Sequence, residues 1–165
     1  MQLLVIRHAI AADRDEFNQT GQPDEERPLT DKGRRRMKHA ARGLKRLVPS
    51  LDLLATSPLV RAKETARIVA RCYPDLEPQL VVELAPTAQL GRLLEWLAAR
   101  AGDTIAIVGH EDGLSTFASW LISGRPESHL LLKKGGACLV TLPGKVEPGG
   151  GRLDWLMTAR HLARI

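Results

Sequence analysis

Residues 104–110 read TIAIVGH: a short apolar run, rich in β-branched side chains, closed by a glycine and a histidine. A run this short and this continuously apolar suits a strand buried on both faces. On its amino side Leu90, Leu93, Leu94, Leu97 and Ala101 keep helical spacing until Gly102, and on its carboxyl side Leu114, Phe117, Ala118, Leu121 and Ile122 do so until Gly124. The same alternation runs to both ends of the chain. QLLVIR at 2–7 predicts a strand, and Thr30 predicts the cap of a helix carrying Met37, Ala40, Ala41, Leu44, Leu47 and Val48 up to Pro49. Leu51 to Thr56 is a second strand, and Ser57-Pro58 a helix start in which the hydroxyl caps the first turn. Ala62, Thr65, Ala66, Val69 and Cys72 form that helix's inner face, and Leu80 to Glu83 a third strand. Ala137 to Leu142 and Arg152 to Met157 close the chain as a strand pair. Residues 11–29 and 143–151 have no periodicity and are expected as loops.

Strands alternating with helices predict an α/β fold: a three-layer α/β/α sandwich around a mostly parallel sheet. The length of 165 residues suits a single domain spanning 1–165. Hydrophobic and charged residues make up 44% and 26% of the chain, which excludes a disordered chain, a collagen and a disulfide scaffold. The longest apolar runs are too short for a membrane helix, and MQLLVIRH lacks the basic start and long apolar stretch of a secretory signal. Cys72 and Cys138 lie far apart in apolar patterns, outside any CxxC or His cluster, so buried free thiols in a cytoplasmic protein are expected, with one disulfide as the alternative. No metal site and no cofactor are expected.

The net charge of +5 favours anionic partners. Six Phe, Trp and Tyr residues form no stacking stripe among the arginines, so nucleic acid is not the expected partner. Lys32, Arg34, Arg35 and Arg36 are accounted for by a solvated helix face. His39, His129 and His161 are expected at the surface, and Trp96, Trp120 and Trp155 in or near the core.

In open α/β sheets ligands bind beyond the carboxyl ends of the strands. Arg7-His8 end the first strand, Ser57 and Arg61 follow the second, and Gly109-His110 end the fourth. Two histidines and two arginines therefore converge on one edge. A single histidine there would be unremarked; a cluster of cations calls for an anion, and guanidinium geometry suits phosphate. Nearby arginines disfavour imidazolium, and a neutral imidazole is a competent nucleophile toward phosphorus.

VIRHAIA at 5–11, RPLTDKG at 27–33, TSPLVRAKETA at 56–66 and IVGHEDGLS at 107–115 resemble the histidine phosphatase superfamily, which includes the phosphoglycerate mutases. The short length, the RPLT segment and the LDWLM strand are most similar to SixA-type phosphohistidine phosphatases, and the resemblance runs from residue 2 to about 157. It implies a phosphoglycerate mutase-like fold and a metal-independent hydrolase in which His8 is phosphorylated. Arg7, Arg61 and His110 would hold the phosphoryl oxygens, with Arg27 as a further clamp. Besides its capping role, the Ser57 hydroxyl is a candidate to face the pocket. Ala9 replaces the glycine usual in the superfamily, a mark of the SixA-like subgroup. The proton donor stays open between Glu83, Glu111, Asp112 and none; Glu111 and Asp112 also suit a helix's first turn. The implied substrate is phosphohistidine on a histidine phosphotransfer protein. The alternatives are a phosphatase for small phosphomonoesters and a non-catalytic phosphate-binding module, although mere binding would not need His8. Only Tyr73 to Gln79 separates the second helix from the third strand, where mutase-like relatives carry a longer insertion. An open, shallow pocket is expected, unless the loop 11–29 folds over His8.

Overall fold

The computed structural model of the chain describes residues 1–111 and 113–165; Asp112, one of the possible proton donors, lies outside them. In chain order the elements are β1 (Gln2–Arg7), α1 (Arg14–Asn18), α2 (Asp31–Leu47), β2 (Leu53–Thr56), α3 (Val60–Ala70), β3 (Gln79–Leu80) and α4 (Leu90–Ala98). Then follow β4 (Thr104–Gly109), α5 (Gly113–Ser123), β5 (Ala137–Thr141), β6 (Arg152–Met157) and α6 (Ala159–Leu162). The strands form one sheet in the order β3-β2-β4-β1-β5-β6. β1 to β4 are parallel, while β5 runs antiparallel to both β1 and β6. The α/β sandwich predicted from the alternation is the observed architecture.

Both faces of the sheet are covered. Along β1, Leu4 and Ile6 join one core with Met37, Ala40 and Leu44 of α2 and Ala62, Ala66 and Val69 of α3. Leu3 and Val5 join the other, with Leu93 and Leu97 of α4 and Phe117 and Leu121 of α5. All four β1 side chains are fully buried, each contributing about 1.5–3 kcal/mol of transfer free energy. This two-sided burial explains why β1 and β4 are apolar without alternation.

Thr30 caps α2 as expected, its hydroxyl accepting from the Gly33 amide at 3.0 Å. Gly33 is required by packing: a Cβ there would collide with the Ile10 carbonyl, where α2 crosses the segment after β1. Three readings of the sequence are corrected. The strand expected over Leu80 to Glu83 is only Gln79–Leu80, because the Leu84 amide bonds back to the Val81 carbonyl and Val82–Leu84 tightens into a 3-10 turn that buries Leu84. The third long helix stops at Ala98, short of Ala101, because Arg100 bonds to the Leu97 carbonyl in a tighter turn. Residues 11–29 are a closed, structured loop: it contains α1 and a 3-10 turn at Asp24–Glu26, and its ends meet in an Ala11–Leu29 bridge. Both cysteines are free thiols, Cys138 buried and Cys72 half-buried. The three tryptophans are half-buried against the two cores, and His39, His129 and His161 are exposed. No helix among the described residues is long and apolar enough to cross a membrane.

Candidate active site

β4 lies between β2 and β1, so the ends of these three strands are neighbours. Arg7 pairs with Gly109, the His8 amide donates to the Gly109 carbonyl at 3.0 Å, and the Ser57 amide donates to the Val108 carbonyl at 2.9 Å. This ladder sets the His8 and His110 rings 5.1 Å apart between centroids. The segment after His8 is fastened to α3: the Ala9 amide donates to the Thr65 hydroxyl, which itself donates to the Arg61 carbonyl. Asp75 is the one non-glycine residue with a positive φ among the described residues, so Ala9 occupies backbone that tolerates its Cβ.

Arg7, His8, Arg27, Arg61, His110 and Glu111 line one pocket of about 530 Å³. The structure thus unites five of the residues expected there. Ser57 is fully buried behind the pocket, its hydroxyl 2.8 Å from His110 Nε2. It does not cap α3, whose flanking residue Leu59 makes no side-chain cap. Glu83 sits half-buried on the 3-10 turn and does not line the pocket; Pro86 does.

The His8 Nδ1 atom is 2.7 Å from the Ala9 carbonyl oxygen. A carbonyl only accepts, so Nδ1 carries the proton and, in the neutral ring, the lone pair lies on Nε2. Burial pushes the His8 pKa down to about 4, with Arg61, Arg7 and Arg27 acting in the same direction and the Ala9 hydrogen bond opposing. His110 is pushed down to about 3 by burial, then by the His8 and Arg61 charges. Both rings are neutral at physiological pH, so the positive charge of the pocket is carried by guanidinium groups.

Asp24 was not foreseen. Its carboxylate bridges two pocket arginines, 2.7 Å from Arg27 Nε and 3.0 Å from Arg61 Nη2, while Arg61 Nη1 donates to its backbone carbonyl. Burial alone would raise the Asp24 carboxyl, but the Arg27 hydrogen bond and the Arg61 and Arg27 charges hold it below its ordinary value. Arg61, with 2% of its surface exposed, keeps an anionic partner in this way. Arg7 donates to the Leu132 carbonyl and lies 3.9 Å from Glu111, whose carboxylate also accepts from the Ser115 hydroxyl. Glu64 secures the RPLT segment, accepting from the Leu29 amide and from Arg34. Ala12, Asp13 and Arg14, from the loop 11–29, form a wall of the pocket. Among the described residues no group of three or more His, Cys, Asp or Glu side chains is placed to hold a metal ion. The assembly pairs an exposed-lone-pair imidazole with several guanidinium groups, the equipment for attack on a tetrahedral oxyanion.

Comparison with known proteins agrees with this geometry. The sequence profile of the histidine phosphatase superfamily (branch 1) matches residues 3–85, half of the chain. An uncharacterised protein of Picosynechococcus sp. is 39% identical over 139 residues, covering 82% of each sequence. The structure of the protein histidine phosphatase SixA complexed with tungstate superposes with a TM-score of 0.82 at 25% identity, covering 98% of this chain and 99% of that one. The α-ribazole phosphatase of Shigella flexneri shares the fold, with a TM-score of 0.76 at 20% identity, covering 96% of this chain and 97% of that one.

Proposed function

The chain belongs to the histidine phosphatase superfamily (branch 1), and from that premise we propose that it hydrolyses phosphohistidine on a phosphotransfer protein through a phosphorylated His8. The observation that carries this reading is the 2.7 Å contact from His8 Nδ1 to the Ala9 carbonyl, which leaves Nε2 as the attacking atom. In the first step the Nε2 lone pair forms a bond to phosphorus while the P–N bond of the substrate breaks. The substrate imidazole leaves with that electron pair, neutral if its other nitrogen is protonated. In the second step water attacks phosphorus, the P–Nε2 bond breaks with its electron pair returning to Nε2, and dihydrogen phosphate departs with the water's oxygen and both its protons. Arg7, Arg27 and Arg61 stabilise the equatorial oxygens in both steps, the part a divalent ion plays in many phosphoryl-transfer enzymes. Similarity to a SixA structure containing tungstate, a tetrahedral oxyanion, supports the pocket as the phosphoryl site.

Cleavage of small phosphomonoesters is the second reading, favoured by the wall that Ala12, Asp13 and Arg14 add to the pocket. The two are separated by measuring kcat/KM, in EDTA, on a phosphorylated histidine phosphotransfer domain and on a sugar phosphate or phosphoglycerate. The expected ratio is at least about 10²-fold in favour of the protein, ~2.7 kcal/mol of transition-state stabilisation. Comparable efficiency on a small metabolite selects the second reading. An acid-labile, alkali-stable phosphoryl label on wild type and none on His8→Ala would exclude a non-catalytic binding module.

A further inference from the structure

A second cavity, of about 380 Å³, lies between α2 and α6. Its floor is apolar, formed by Ala9, Ile10, Met37 and Ala159. Its rim is cationic: Arg36 and His39 from α2, Lys134 from the turn before β5, and Arg160 and Arg164 at the chain end. No aspartate or glutamate lines it, and none of these exposed side chains forms an ion pair among the described residues. Ala9 follows His8 directly, and Ile10 and Lys134 line both this groove and the active-site pocket. The groove therefore adjoins the site of phosphoryl transfer.

Four unpaired permanent cations around one concavity repel each other and focus a positive potential there. An isolated oxyanion would leave the apolar floor unused. Single-stranded nucleic acid would satisfy the rim, but no Phe, Tyr or Trp ring lines the groove as a stacking platform for bases. The ligand that satisfies both is a protein segment with acidic side chains reaching the rim and an apolar side chain seated on the floor. We infer that the α2–α6 groove is the docking surface for an acidic segment of the phosphorylated protein substrate, holding that protein while its phosphohistidine enters the adjoining pocket. The inference rests on the phosphoprotein reading and adds to it the face by which the protein is recognised.

The test is an Arg36→Ala/Arg160→Ala/Arg164→Ala variant, which leaves the active-site pocket intact. It is assayed with a phosphorylated histidine phosphotransfer domain of acidic surface and with phosphoramidate, a small P–N substrate. On the phosphoprotein, kcat/KM should fall about 10- to 100-fold, mainly through KM, with a weaker salt dependence than wild type. On phosphoramidate the variant should stay within about threefold of wild type, since rim charges act on partner docking. Unchanged phosphoprotein kinetics would overturn the docking role, and an equal fall on both substrates would show damage to the pocket instead. Unchanged phosphoprotein kinetics with loss of binding to an oligonucleotide or anionic vesicles would assign the groove to that polyanion. A wild type that cleaves phosphoramidate but not the phosphoprotein would defeat the functional reading itself, and the docking role with it.

Discussion

The Nδ1 atom of His8 and the carbonyl oxygen of Ala9, the next residue in the chain, are 2.7 Å apart, so the tautomer of this ring is set by its own backbone. Many catalytic histidines are oriented by a carboxylate, which also raises the imidazole pKa. Here the orienting group is a neutral carbonyl, and burial with three arginines brings the pKa down to about 4. His8, the proposed nucleophile, should therefore stay unprotonated well into the acid range. We expect kcat/KM, corrected for ionisation of the substrate, to stay level from pH 7 to about 5 and to fall only near 4. A falling limb centred between 6 and 7 would refute the neutral, carbonyl-oriented histidine.

Folding stability should change over the same interval, with a defined sign. His8 and His110 take up protons in the unfolded chain near 6.5, but in the folded chain only near about 4 and about 3. As pH drops below 6.5 the unfolded state binds protons that the folded state refuses, so stability is lost progressively toward pH 4. For His8 the loss is on the order of 2–4 kcal/mol across the window. Thermal unfolding of wild type and His8→Asn between pH 7 and 4 measures this. The wild-type Tm should fall more steeply, and parallel curves would show that His8 does not resist protonation in the folded state.

Asp24 pairs with Arg27 and Arg61, the arginines proposed to hold the phosphoryl group, so its carboxylate is expected to compete with that group for them. Asp24→Asn removes the charge but keeps the shape and the backbone contact to Arg61. Inorganic phosphate and vanadate should then inhibit at roughly 3–10-fold lower concentration, the scale of a partly exposed ion pair of about 1 kcal/mol. The variant should also unfold at a lower temperature, because the buried Arg61 loses its anionic partner. Weaker inhibition would mean that Asp24 positions the guanidinium groups more than it competes for them.

Arg7, His8, Arg61 and His110 were legible in the sequence because each sits at or just past a strand end, and the apolar runs of β1, β2 and β4 locate those ends. Arg27 needed the resemblance, since nothing in a polar loop shows that an arginine turns inward. Asp24 had no signal: DEER in an aperiodic stretch looks solvated, and only closure of the loop through the Ala11–Leu29 bridge brings it to Arg61. Glu83 was misplaced because a short apolar run fits a strand or a tight turn equally well, and burial of Leu84 decides for the turn. The α2–α6 groove was invisible for another reason: its walls are more than a hundred residues apart in sequence, and α6 is too short to show periodicity.

The proton donor is open to a direct comparison of two acids. Glu111 lines the pocket, held by the Ser115 hydroxyl on one side and Arg7 on the other, whereas Glu83 lies on the 3-10 turn and does not line it. A group that delivers a proton to the leaving atom must reach the pocket, and general acid catalysis is worth about 10²–10⁴ when the leaving group is a poor one. An alkoxide leaving from an alkyl phosphate is poor; an imidazole leaving from phosphohistidine is not. Glu111→Gln should accordingly lower kcat on an alkyl phosphomonoester by about 10² while costing less than about tenfold on a phosphohistidine protein. Glu83→Gln should stay within about threefold of wild type on both, as expected for a change outside the pocket that touches no reacting atom. Leaving-group dependence adds a second readout, because loss of an acid steepens the fall in rate with rising leaving-group pKa, which a merely structural change does not do. If Glu83→Gln loses as much as Glu111→Gln on the alkyl ester and shows that steepening, the donor reaches the pocket from the turn after β3, and Glu111 serves only to orient Arg7.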